Sequence, residues 1–126
     1  MSMARKRSPA LTDAEARVMV VLWQRQTATV ADVVAALRKN RPVNYSTIQT
    51  ILRILETKGY VAHKKVARAF VYRPCVDERQ ARRRALKHLL GRLFNGSPSL
   101  LVLNVLDDDD IDPGELKRLK KLIEDA

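Results

Sequence analysis

The 126-residue sequence is poor in the residues that carry most site chemistry. It has a single cysteine, Cys75, which excludes an internal disulfide and any multi-cysteine metal site. No run approaches the ~18 uninterrupted apolar residues of a membrane span, so no membrane insertion is expected. There are only four glycines, none arranged as a phosphate-cradling loop. The basic start Met1-Ser2-Met3-Ala4-Arg5-Lys6-Arg7-Ser8-Pro9 has no apolar stretch behind it and does not read as a secretory signal. His63 and His88 lie far apart with no ligand cluster at metal spacing, and both read as surface or interface histidines. Ser97 and Ser99 lack a His and Asp partner in any recognisable order. Asp107 to Asp110 lacks the glycine and terminal Glu of a calcium loop. The expectation is therefore no enzyme, no metal, no cofactor, and a reducing bacterial cytoplasm.

What the chain does have is positive charge, unevenly placed. It carries 24 Lys+Arg against 14 Asp+Glu, for a net charge of +10. Residues 1–75 hold 14 basic and four acidic residues, and residues 76–126 hold ten of each. Between Val33 and Val76 the only acid is Glu56, against nine basic residues. A one-sign field on half of a small protein attracts a polyanion. With 46% apolar residues the chain is globular.

Thr12 and Glu15 have capping-box spacing and open a first helix running to about Gln26. Leu11, Glu15, Val18 and Leu22 share one face, widened by Met19 and Trp23. A second helix starts at Thr29, with Asp32 three residues on. It ends in Arg38-Lys39-Asn40-Arg41 before Pro42. A third runs from about Ser46 to Gly59. Ile48, Ile51, Leu52 and Leu55 form its apolar stripe. Its other face carries Ser46, Thr47, Gln49, Thr50, Arg53 and Thr57, with no acid before Glu56. Gly59 suits the left-handed residue that closes a helix. Tyr60 to Lys65 and Ala69 to Pro74 then read as a β-hairpin around the basic turn Val66-Ala67-Arg68. That turn lacks an Asn-Gly signal, which leaves the register open.

The last third differs in kind. A basic helix over 77–94 has an Ala/Leu stripe and is broken by Asn95-Gly96-Ser97-Pro98. Residues 99–106 are apolar on nearly every side. Asp107 to Asp110 reads as an acidic linker, and Asp112, Pro113 and Glu115 open a final helix with a capping box. About 50 residues of this kind bury such a segment poorly alone. The expected organisation is a basic arm (1–10), a winged-helix domain (11–75) and a helical dimerisation element (76–126). Leu86, Leu89, Leu90, Leu93, Leu101, Leu103, Leu106, Leu119 and Ile123 are its interface candidates. Folding back on the N-terminal domain is the alternative.

The fold class is thus mainly α with a small β-hairpin, in winged helix-turn-helix order. The chemistry fits DNA. A helix entering the major groove needs hydrogen-bonding tips, and an acid there would meet phosphates. Tyr45, Ser46, Thr47, Gln49, Thr50 and Arg53 are the candidate contacts on the third helix. Lys64, Lys65 and Arg68 on the hairpin would meet phosphates. The arm Arg5-Lys6-Arg7 either does the same or only solubilises. The alternative function is a winged-helix protein-interaction module. Cys75 reads as an ordinary residue at a junction, with a redox-sensing thiol beside Arg73 as the other option.

The pattern Leu11-Thr12…Glu15…Met19…Leu22-Trp23, Thr29-Val30…Val33…Leu37, Thr47-Ile48-Gln49-Thr50-Ile51-Leu52…Leu55…Lys58-Gly59 and Phe70…Tyr72-Arg73-Pro74 resembles the penicillinase repressor family of the BlaI/MecI type. So do Leu93-Phe94-Asn95-Gly96-Ser97-Pro98 and Glu115-Leu116. The resemblance covers about residues 10–124. It implies a homodimeric bacterial repressor that binds a palindromic operator in double-stranded DNA through the third helix and wing. Thr47, Gln49, Thr50 and Arg53 match the part of the motif that faces DNA. One departure is Ile54, which stands where the family usually has Arg, with the basic residue one position earlier at Arg53. In such repressors a membrane sensor protease often triggers cleavage in the dimerisation element, and Asn104-Val105 matches the scissile position except on its P1′ side. Copper sensing of the family's paired-cysteine kind is excluded by the single cysteine.

Overall fold

In the computed structural model, which describes residues 10–126, the helices are α1 (Asp13–Arg25), α2 (Val30–Arg38), α3 (Tyr45–Thr57), α4 (Glu78–Leu93), α5 (Pro98–Leu106) and α6 (Pro113–Asp125). The strands are β1 (Ala28–Thr29), β2 (Val61–Val66) and β3 (Ala69–Pro74). The run Arg5-Lys6-Arg7 lies outside the described residues. Two compact units divide between Leu86 and Lys87.

Local chemistry sets the helix starts. Thr12 Oγ1 accepts from the Glu15 amide at 3.1 Å, and Glu15 Oε1 accepts from the Thr12 amide at 3.0 Å. Thr29 and Asp32 repeat this reciprocal pair at 3.1 and 3.0 Å. Asp77 and Gln80 form a third such pair, at 2.8 and 3.0 Å, which starts α4. Ser97 and Asp112 cap α5 and α6. The box expected at α6 is only half made. Asp112 accepts from the Glu115 amide, but the Glu115 carboxylate turns to Arg118 at 2.8 Å, because a cation one turn on outcompetes a neutral amide.

The hairpin is present, in the register Val61↔Pro74 to Val66↔Ala69. Its loop is Ala67 and Arg68, with Ala67 at φ 56°. A third strand joins it: β1 pairs with β3 through Ala28↔Tyr72 and Thr29↔Val71, giving the order β1-β3-β2. Two residues between two helices carry no alternation to read, so the sequence does not announce this strand.

The core of the first unit takes Val18, Met19 and Leu22 from α1, Val30, Val33 and Val34 from α2, and Ile48, Leu52 and Leu55 from α3. Tyr60, Val61 and Tyr72 close it from the sheet side, and Val76 and Ala81 complete it. Trp23 packs against this core and donates its indole N–H to the Val76 carbonyl at 2.9 Å. The second unit is different: no residue from Lys87 to Ala126 is buried. Leu93 is 68% exposed and Leu103 56% exposed. Leu86, Leu89 and Ile123 are likewise exposed, and Leu90, Leu101, Leu106 and Leu119 are half-buried. No single helix among the described residues is long and apolar enough to cross a membrane.

Candidate nucleic-acid interface

The 3.6-residue repeat of α3 turns Ile48, Leu52 and Leu55 into the core, so the intervening positions must face out. Ser46, Thr47, Thr50 and Arg53 are exposed, Gln49 is half-exposed, and Tyr45 is 51% exposed. The polar flank is not packed inside the unit. Ile54 is half-buried at the edge of the same helix.

Both ends of α3 are fixed. At the C-terminal end the Gly59 amide donates to Glu56 O at 3.0 Å and the Tyr60 amide to Leu55 O at 2.9 Å. This is the paired Schellman closure, and it requires the left-handed φ of 85° that Gly59 supplies. Lys58 then reaches into the body of the unit, donating to Glu15 Oε1 at 2.7 Å and to Ala10 O at 3.0 Å. Lys58 and Glu15 side chains are each 6% exposed. The C-terminal end of α3 is therefore tied to α1 by a buried ion pair. At the other end Arg38 Nε donates to Val43 O at 3.2 Å across the turn before α3. Asn44, at the N-cap, makes no side-chain cap bond.

The wing is tied to the same helix. His63 Nδ1 on β2 lies 2.7 and 3.0 Å from the two carboxylate oxygens of Glu56. Its ring sits 4.6 Å from that of Phe70 and 5.3 Å from that of Tyr72. His63, read from sequence as a surface or interface histidine, is thus the link between wing and helix. Glu56, the one acid in the basic stretch, is occupied by it. The Tyr72 phenol is pushed above its ordinary value of 10.0, chiefly by burial and further by the Glu56 charge.

Two clefts border the N-terminal half of α3. One, of about 350 Å³, is lined by Tyr45 and Gln49 with the wing residues Lys65, Arg68 and Phe70, and by Thr29 to Ala31. It brings four of the expected contacts together. Lys64 is exposed but lies outside this cleft, since neighbouring strand residues face opposite ways. The other cleft, of about 250 Å³, places Thr47 beside Arg17, Arg41 and Asn44. Arg17 and Arg41 were not among the residues singled out from sequence. The available signal was their position, on the exposed side of α1 and in the turn entering α3. Among the described residues no group of His, Cys, Asp and Glu is placed to hold a metal ion.

Three helices, a three-stranded antiparallel wing and an outward-facing, acid-poor α3 define a winged helix-turn-helix protein. The family model described as penicillinase repressor matches residues 11–125, and the chain belongs to that family of transcriptional repressors. It is 34% identical over 120 residues to the penicillinase repressor of Bacillus licheniformis, covering 95% of this chain and 94% of that protein. It is 24% identical over 113 residues to the methicillin resistance regulatory protein MecI of Staphylococcus aureus strain N315, covering 90% and 92%. Among solved structures it matches the DNA-binding domain of the repressor BlaI at a TM-score of 0.52 and 39% identity, over 59% of this chain and 90% of that one. The Bacillus licheniformis BlaI monomeric form in complex with the blaP half-operator matches at a TM-score of 0.50 and 38% identity, over 60% and 93%.

Proposed function

We propose that two copies of this repressor bind a two-fold-symmetric operator in duplex DNA, each laying the outer face of α3 in a major groove. Thr47, Gln49, Thr50 and Arg53 read base edges there, with Tyr45 and Ser46 at the groove entrance. Lys64, Lys65 and Arg68 of the wing neutralise phosphates, which adds affinity without sequence information. The observation that carries this reading is the exposed polar face of α3, from which Tyr45 and Gln49 share one cleft with the wing cations Lys65 and Arg68, while Glu56 is held by His63. The likeness to BlaI bound to a half-operator supports it.

The reading is tested with genomic fragments selected by the protein and then measured by mobility shift. Gln49→Ala is expected to narrow the preference for the selected fragment over random duplex by about 1–3 kcal/mol. Lys65→Ala and Arg68→Ala should weaken binding to both alike. A Gln49→Ala protein that discriminates as well as wild type would remove α3 as the reader.

The partner copy is assigned to the second unit. Exposed Leu89, Leu93, Leu103 and Ile123 in a segment that buries nothing support a homodimer built there. Relief of repression by a sensor protease at Asn104-Val105 is part of the same proposal. That bond lies inside α5, where the Asn104 side-chain Nδ2 donates to Leu100 O at 2.9 Å. Cutting it requires the last turns of α5 to unwind. Co-expression with the cognate protease followed by intact-mass measurement is expected to show a break after Asn104, and an uncut chain under inducing conditions rejects it.

A further inference from the structure

We propose that the cleft on the side of α3 away from the wing is a second seat for the DNA backbone, with Arg17 and Arg41 as its phosphate-binding cations. This rests on the assignment of α3 as the reading helix. A major groove is bounded by two sugar–phosphate strands, so a helix lying in it has one on either flank. The wing, with Lys65 and Arg68, accounts for one flank only. On the other, Arg17 comes from α1 and Arg41 from the turn before α3, and both line the same cleft as Asn44 and Thr47. All four carry hydrogen-bond donors suited to phosphate oxygens. No acidic residue lines that cleft.

Both arginines are exposed, and neither has an ion-pair partner among the described residues. Arg25, Arg82 and Arg118, by contrast, are paired with Asp32, Glu78 and Glu115. Free guanidiniums that converge on one cleft beside a reading helix complement a polyanion. Leu37 and Ile51 supply the apolar part of the cleft's lining.

The test uses the full chain and a fluorescein-labelled random-sequence duplex, with anisotropy titrations between 50 and 200 mM salt. Each phosphate contact contributes roughly 0.9 to the slope of log affinity against log salt. Arg17→Gln and Arg41→Gln are each expected to lower the slope by about one, and the double variant by about two. Arg17→Lys should keep the slope, and Lys121→Gln, an exposed cation of α6, should leave it unchanged. Slopes equal to wild type in both glutamine variants, while Lys65→Gln lowers its own, overturn the second seat and leave the DNA reading intact. A wild-type chain with no salt-dependent DNA binding overturns both.

Discussion

The Glu15–Lys58 pair shows how much a single contact decides. Both side chains are withdrawn from water, and the ammonium lies 2.7 Å from the carboxylate. Removing one leaves a buried, uncompensated charge. Glu15→Gln is expected to cost about 3–5 kcal/mol in urea unfolding. Glu15→Gln with Lys58→Met should restore most of that loss, because the amide oxygen can still accept from the Thr12 N–H and no buried charge is left without a partner. If the double variant is as unstable as the single one, the pair is not the source of the cost. Sequence showed Glu15 as a capping residue on the inward face of α1 but not its partner, since the cap is three positions away and the ion pair forty-three. Asp32 behaves differently. Its carboxyl sits below the ordinary 3.8, first because the Thr29 backbone donates to it. Its stabilising effect is therefore full above the ordinary carboxylate range and fades as pH falls through the lowered value. In pH-dependent unfolding, the gap between wild type and Asp32→Asn should close below about pH 4.

At the scale of elements, helix boundaries were legible because capping chemistry is local. Thr12, Thr29, Asp112 and Gly59 all sit where their side chain or left-handed φ is required, while Ser97, read only as part of a break, caps α5. The wing was legible as an alternation but not as a three-stranded sheet, and nothing in its turn foretold Ala67 at φ 56°. The coupling of wing to helix was not legible at all, since Glu56 and His63 meet only once the chain has reversed at Gly59. That link makes an element-level prediction. His63→Ala removes the partner of Glu56 and the ring between Phe70 and Tyr72. Amide exchange in β2 and β3 is expected to quicken while α1 and α2 stay protected, and DNA affinity should drop because an uncovered carboxylate then faces phosphates. Uniform loss of protection across the unit would instead mark His63 as a general core residue.

The whole molecule divides its labour along the chain. Charge placement alone separated a basic half from a balanced half, and the apolar run 99–106, expected to bury poorly alone, contains no buried residue. What the sequence could not supply was which side chains meet which, because that depends on contacts among α1, α3 and the wing. The prediction at this scale concerns association. Leu103 is exposed in the monomer, so Leu103→Glu should leave the first unit folded while shifting sedimentation from dimer to monomer. Operator affinity should then fall about 10²-fold or more, since two linked half-sites bind as one. A Leu103→Glu protein that still sediments as a dimer would place the association surface elsewhere.

The unburied second unit carries a consequence for how sharply genes would be silenced. In the proposed homodimer a segment with no interior of its own gains one by meeting its twin, so its melting temperature should climb with protein concentration while that of the first unit stays put. Occupancy of a double site then tracks roughly the square of the monomer level. Modest depletion of the pool, by dilution at cell division or by clipping α5, would release the promoter abruptly instead of gradually.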